Sequence, residues 1–106
     1  MSRFRTTNEA DEDLIAAYIR GHDRFGKSQA DRYQDGLEAT FQGLAEHPQR
    51  VRLRMEFHPP IRVFAYGSHV ILYDEEPNGI VIVRVRHGHD DWQGDLDNRS
   101  AAEDHS

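Results

Sequence analysis

The stretch HVILYDEEPNGIVIVRVRH, residues His69–His87, decides the fold. Two apolar runs in it flank Asn78-Gly79, a dipeptide that readily adopts the positive φ angles of a tight turn. This pattern predicts two antiparallel strands, the second being the most apolar in the chain. Alternation along the second strand places its three valines on one face and two isoleucines, Arg84 and Arg86 on the other. We expect the valine face to be buried and the arginine-bearing face to be partly open.

Two segments before this hairpin also alternate with a period of two. They are VRLRMEF, residues 51–57, and IRVFAY, residues 61–66. Gly67-Ser68 is short enough to connect the latter directly to the hairpin. The second half of the chain therefore predicts three or four antiparallel strands.

The first half shows helical periodicity after a short N-terminal strand, SRFRTT. Thr6 and Glu9 have the spacing of a capping box, and the apolar stripe that follows ends at Gly21. A second amphipathic helix ends before Pro48, and the connection between the helices is short enough to make them an antiparallel hairpin. The predicted fold class is α+β, with the N-terminal strand and helical hairpin packed on one face of a three- to four-stranded antiparallel sheet.

The length and composition indicate one domain without disulfides. A chain of 106 residues can bury a single core, and the lack of cysteine excludes disulfide scaffolds and thiolate metal sites. No apolar run approaches the roughly 20 residues needed to span a bilayer, and the N-terminus has no signal-peptide pattern. We therefore expect a cytoplasmic protein with no membrane partner.

The net charge of −6 is concentrated near the C-terminus. Residues 1–88 carry a net charge of −1 and residues 89–106 a net charge of −5. The segment after Trp92 has few apolar side chains to offset the entropy of ordering it. We expect a folded domain over residues 1–92 and a disordered acidic tail over residues 93–106.

The stretch HGHDD, residues 87–91, admits three interpretations. His-x-His-x-Asp spacing occurs in zinc hydrolases, but the remaining ligands of such a site have no counterpart here, so we expect no metal. In a metal-free ribonuclease, His87 and His89 would transfer protons while Arg62, Arg84 or Arg86 stabilised the phosphate in the transition state. In the third interpretation this is simply the end of a strand, with Asp90 and Asp91 in solvent, where their charges disfavour RNA. The chain has no Gly-rich phosphate loop, and we expect no cofactor.

Three segments cover most of the chain: ADEDLIAAYI, FGKSQADRYQDGLEATFQGLAEHPQR and RVFAYGSHVILYDEEPNGIVIVRVRHG, the last followed by an Asp–Trp pair. These segments resemble toxins of the ParE branch of the RelE/ParE superfamily. The resemblance extends from Arg3 to about Trp92 and implies the same helical hairpin on an antiparallel sheet. It also implies a toxin that inhibits DNA gyrase and is neutralised by a small ParD-like antitoxin. From this resemblance we expect a protein inhibitor without catalytic residues.

RelE-type members of the same superfamily are ribosome-dependent mRNA endonucleases, and this is the alternative function. His89, Asp90 and Asp91 follow Gly88 at positions where those nucleases tend to carry basic residues. The difference favours the gyrase inhibitors, and we do not expect direct nucleic-acid binding. An acidic antitoxin segment that folds on binding would complement a cationic surface. The predicted antitoxin-binding residues are Arg52, Arg54, Arg62, Arg84 and Arg86.

Overall fold

The computed structural model describes residues 3–94 and Leu96. Two long helices precede most of the strands, and a short 3-10 turn follows the second helix. The elements are β1 (Arg3–Thr6), α1 (Asn8–Phe25), α2 (Lys27–Glu46), the 3-10 turn (Pro48–Arg50), β2 (Leu53–Arg54), β3 (Ile61–Tyr66), β4 (His69–Glu76) and β5 (Gly79–His87). No helix in these described residues is both long enough and apolar enough to cross a membrane.

The five strands form one sheet in the order β1-β5-β4-β3-β2. The pairs from β5 to β2 are antiparallel, whereas β1 pairs with β5 in parallel, with Arg3 opposite Gly79. The predicted α+β class is confirmed, but the sheet is mixed and has five strands instead of three or four. Local patterns identify a strand without identifying its neighbour. The neighbours depend on the helical hairpin, which carries the chain from β1 at one edge to β2 at the other.

The helix boundaries differ from the predicted ones. The N-cap of α1 is Thr7, whose side chain accepts a hydrogen bond from the Ala10 amide, and the predicted cap at Thr6 is wrong by one residue. The helix also continues through Gly21, where an added Cβ would make an ordinary van der Waals contact with the Cβ of Ala30 at 3.8 Å. Gly26, with φ of 88°, is the single residue between the helices. Gly21 is therefore an interior residue of α1, and the predicted helix end there is wrong.

The predicted strand over residues 51–57 is reduced to the two residues of β2. Val51 packs against the core below the helices, whereas Met55 is 62% exposed. These two side chains do not share one buried face, so the alternation that predicted a longer strand has no packing to support it.

A β-bulge decides which residues of β5 face the helices. Leu72 lies opposite Arg84, whereas its neighbour Tyr73 lies opposite Ile82, so the residue between the two β5 partners is extra. Ile82 and Val85 consequently both belong to the helix-facing core. The predicted division into a buried valine face and an isoleucine face is wrong, because the extra residue reverses the alternation partway along the strand. The buried members of this core are Ala10, Leu37, Phe41, Leu44, Ala45, Ile71, Tyr73, Ile80, Ile82 and Val85.

The opposite face of the sheet is partly covered by the chain beyond β5. Leu96 is only 2% exposed and packs there with buried Ile61 and Leu72. Residues 92–94 are helical, and the Trp92 ring lies beside Phe57 with centroids 6.0 Å apart. The packed part of the chain therefore reaches Leu96, beyond the predicted domain boundary at Trp92. The rest of the predicted tail, residues 95 and 97–106, lies outside the described residues.

Candidate functional site

Three histidines meet where the β3–β4 turn lies beside the end of β5. His69 and His87 are cross-strand partners, with ring centroids 5.5 Å apart, and the rings of His87 and His89 are 5.1 Å apart. The His89 amide donates to Nδ1 of His87 at 3.2 Å. We call His69, His87 and His89 the histidine cluster. In the described residues, 3–94 and 96, no group of three or more His, Asp or Glu side chains is arranged to hold a metal ion.

Tyr33 of α2 joins this cluster to the helical layer. Its hydroxyl lies 2.7 Å from Nδ1 of His69 and donates to the Tyr66 carbonyl at 3.1 Å. The contact requires a glycine at the turn, since a Cβ on Gly67, whose φ is 55°, would lie 2.6 Å from the Tyr33 hydroxyl. Burial lowers the pKa of His69, and the charges of His87 and Arg20 lower that pKa further.

Asp13 of α1 lies against the outer edge of β5. Its carboxylate accepts from Arg84 Nε at 2.8 Å and Nη2 at 2.9 Å, and from the Val85 amide at 3.0 Å. The helix is fixed there because the Thr7 amide donates to the Ile82 carbonyl and its hydroxyl to the next carbonyl of β5. β1 pairs with β5 only as far as Ile82, so α1 supplies polar partners beyond that point. Asp13 therefore accepts the hydrogen bond from the Val85 amide that a neighbouring strand would otherwise accept.

The two aspartates of HGHDD have separate roles. Asp90 accepts a hydrogen bond from the His87 amide at 3.1 Å and lies 3.7 Å from Arg86, which is also 3.8 Å from Asp13. Asp91 accepts from the Gly94 amide at 3.1 Å, as a helix N-cap does. Asp90 thus contributes to the charge near the histidine cluster, whereas Asp91 stabilises the turn that leads to Leu96.

The residues predicted for a nuclease site are only partly brought together. His87 and His89 are neighbours, but Arg62 lies four residues along β3 from Tyr66, the cross-strand partner of His69. At the strand rise this is about 13 Å. The Arg62 guanidinium instead donates to the Val51 carbonyl and to Glu75. Tyr33, His69 and Asp13 were not among the predicted site residues, because none carries a local sequence signal of its position.

The five arginines predicted to bind an antitoxin do not form one surface. Arg62 lies opposite Tyr73, on the helix-facing side, whereas Arg84 and Arg86 extend from β5 to Asp13. Arg52 and Arg54 both lie near Glu56, at 3.7 and 3.0 Å. Each arginine therefore has an acidic partner within the chain, and their binding of an antitoxin stays a prediction. The exposed fraction of these side chains is 71% for Arg52, 30% for Arg54, 13% for Arg62, 22% for Arg84 and 27% for Arg86.

Comparisons with known proteins agree on one family. The family model described as "ParE toxin of type II toxin-antitoxin system, parDE" matches residues 4–92. Toxin ParE1 of Caulobacter vibrioides is 32% identical over 87 residues, covering 82% of this chain and 90% of that protein. Toxin ParE1 of Mycobacterium tuberculosis is 30% identical over 81% of this chain and 89% of its own length.

A solved structure has the same fold. It is described as the chromosomal ParDE TA system from P. aeruginosa, and it superposes with a TM-score of 0.68 over 82% of this chain and 96% of its own. At 18% identity the likeness concerns the fold alone.

Proposed function

Because this chain belongs to the ParE toxin family of type II toxin–antitoxin systems, we propose that it is a protein inhibitor of DNA gyrase. A cognate ParD-like antitoxin would neutralise it. The solved relative described as a ParDE system supports a partner of this kind. The action we propose is recognition of a protein surface, without chemistry carried out by the toxin itself.

The observation that carries this choice is the separation of Arg62 from the histidine cluster. Metal-free RNA cleavage needs a proton-transfer pair and a cation at the same phosphate. Arg62 lies about 13 Å along its strand from the cluster and is bound to Glu75. The nearer cation, Arg86, faces both Asp13 and Asp90. This arrangement supports an inhibitor over a nuclease.

The test uses purified toxin, gyrase, ATP and relaxed plasmid. We expect the toxin to block supercoiling or to trap cleaved DNA, and His87→Ala to inhibit like the unaltered chain, since no proton transfer is required. His58→Ala is the matched control, because His58 is exposed and lies outside the histidine cluster. Addition of the antitoxin should restore supercoiling.

The alternative is a ribosome-dependent mRNA endonuclease, and the close packing of three imidazoles is the observation that favours it. Loss of a general acid or base would then slow cleavage about 100- to 10,000-fold in His87→Ala. Cleavage of ribosome-bound message that depends on His87, with gyrase unaffected at saturating toxin, would overturn the proposal.

For the antitoxin we propose a binding surface that includes the outer side of α1. Ile15 and Ile19 lie one turn apart there and are 61% and 56% exposed, and burying them would favour association. Arg52 is the most accessible of the five predicted arginines and could pair with an acidic antitoxin residue.

Replacing both isoleucines by serine should weaken antitoxin binding by about tenfold or more, since roughly 1.4 kcal/mol corresponds to a factor of ten. Ala39→Ser, at an exposed position of α2, is the control for introducing serine into a helix. Arg52→Glu tests the charge separately. Unchanged affinity in calorimetric titrations of both variants would place the antitoxin elsewhere.

A further inference from the structure

We propose that Asp13 and Asp90 determine specificity by withholding Arg84 and Arg86 from nucleic-acid phosphates. The inference rests on the proposed function, in which the toxin recognises a protein and not RNA. The ligand class excluded is the phosphodiester of a single-stranded nucleic acid. Neither aspartate is assigned a catalytic role; each acts through an arginine.

The geometry at Asp13 is that of an occupied anion site. Two guanidinium nitrogens of Arg84 and the Val85 amide surround one carboxylate, which is the donor set that a phosphate would use. The Asp13 side chain is only 9% exposed, so its carboxylate is a fixed part of the fold. A phosphate entering here would have to displace it and leave a buried carboxylate without these partners, at a cost that no surface contact repays.

Asp90 has the same effect on the solvent side. It lies 3.7 Å from Arg86 and is anchored by the His87 amide. A small cavity of about 50 Å³ lies between these groups, and its lining includes Asp13, Arg20, Arg86 and Asp90 together with two imidazoles. The carboxylates of Asp13, from α1, and Asp90, from the chain after β5, therefore both lie against the arginines of this region.

Neutralising both carboxylates should convert this region into a phosphate-binding surface. Arg20, Arg86 and the imidazoles of His69 and His87 would then line the cavity without the charge of its two carboxylates, and Arg84 would face an uncharged side chain at position 13. Asparagine at position 13 keeps an oxygen that can accept from the Val85 amide, so the charge is removed with the least change to packing. Nucleic-acid affinity would rise through counterion release, and it would fall steeply with salt.

The experiment measures binding of a fluorescein-labelled 12-nucleotide oligouridylate by anisotropy, using the full chain at several salt concentrations. We expect the unaltered chain to bind negligibly and the double variant Asp13→Asn/Asp90→Asn to bind at least about tenfold more tightly at low salt. Two additional phosphate contacts would make the slope of log K against log salt about 1.4 units more negative. Thermal unfolding of each variant verifies that it is folded.

The control is Asp35→Asn/Glu38→Gln, which changes the net charge equally. Both residues are exposed on α2, away from the ion pairs of β5. An equal gain in this control would overturn the inference, since total charge and not position would then govern binding. No gain in the double variant, or tight binding by the unaltered chain, would overturn it as well.

Asp90→Asn alone keeps the test decisive if position 13 proves essential for folding. Asp90 is 41% exposed at its side chain, and its replacement should give a smaller gain with a slope change of about 0.7 units; no gain in this folded variant counts against the inference. This anisotropy measurement of oligouridylate binding does not involve gyrase. Failure to inhibit gyrase with RNA exclusion intact would contradict the proposed function alone.

Discussion

The hydroxyl group of Tyr66 occupies the space that a side chain at Gly36 would need. A Cβ added to Gly36 would overlap the Tyr66 oxygen and lie 2.9 Å from the ring carbon that bears it. Tyr66 is held in this position by Tyr33, with the two rings edge to face at a centroid distance of 5.3 Å. Gly36 therefore sets how closely α2 approaches β3.

Gly36→Ala should destabilise the fold by about 1–3 kcal/mol, because the overlap outweighs the helix propensity that alanine adds. Gly43→Ala on the same helix is the matched control, since a Cβ there meets nothing within 4 Å. That control should raise the free energy of unfolding by up to about 1 kcal/mol. Urea unfolding measures both variants. Equal stabilisation by the two substitutions would mean that Tyr66 moves aside at no cost.

Tyr73→Phe should lower the free energy of unfolding by about 1 kcal/mol. Tyr73 is fully buried, and its hydroxyl donates to the Pro48 carbonyl at 2.9 Å, which connects β4 to the end of α2. Phenylalanine keeps the ring and leaves this carbonyl without its donor. A variant as stable as the unaltered chain in urea unfolding would show that the carbonyl finds another partner.

We also expect Tyr73 to make the fold less stable at high pH. Burial raises the pKa of Tyr73 from 10.0 to about 12, so the folded chain holds the proton more tightly than the unfolded chain does. This contribution is complete below pH 10 and is lost as the pH rises from 10 towards 12, by on the order of 1 kcal/mol per pH unit. Tyr73→Phe should lack this part of the pH dependence when unfolding is measured from pH 9 to 11.5. Identical curves for both proteins would contradict the assignment to Tyr73.

We expect the fold to lose stability on the acidic side of neutrality because of His69. Its pKa is lowered from 6.5, mainly by burial, so the folded chain binds this proton less readily than the unfolded chain. The contribution of neutral His69 is therefore complete above pH 6.5 and decreases as the pH falls below that value. NMR titration of the imidazole should give a midpoint below the ordinary one, and His69→Gln should reduce the dependence of stability on pH below 6.5. A midpoint at or above 6.5 would refute this.

The burial of Leu96 indicates that the folded domain extends at least to this residue. Leu96→Ala should destabilise the chain by about 2–5 kcal/mol, because the buried side chain packs on Ile61 and Leu72. We propose that a chain ending at residue 96 keeps the stability of the full chain, whereas one ending at Gly94 loses it. Circular dichroism melts of the two truncations make the comparison. Equal melting temperatures would show that Leu96 packing contributes little.

The sequence by itself determined the element types and the fold class. Asn78-Gly79 favours a turn between two apolar runs, and two segments before it have the apolar spacing of helices. Backbone preference and residue spacing are properties of each segment by itself, so they predict the element without knowledge of the fold. The same is true of the end of β5, which the sequence predicted at His87 and the structure places there. Family membership also followed from motifs carried within single segments, and the family comparison confirmed it.

Only the tertiary structure decided which side chains of these elements pack against one another. The bulge opposite Leu72 arises from pairing between two strands, and it reversed which side chains of β5 face the helices. Leu96 appeared too isolated in sequence to be buried, yet folding brings it to Ile61 and Leu72.

The charges at the candidate site were decided in the same way. The sequence predicted that five arginines bind the antitoxin, but Asp13 stands 71 residues before Arg84, and only the packing of α1 against the edge of β5 joins them. An ion pair depends on distances of a few ångströms between side chains, and residue spacing carries no information about such distances across a fold.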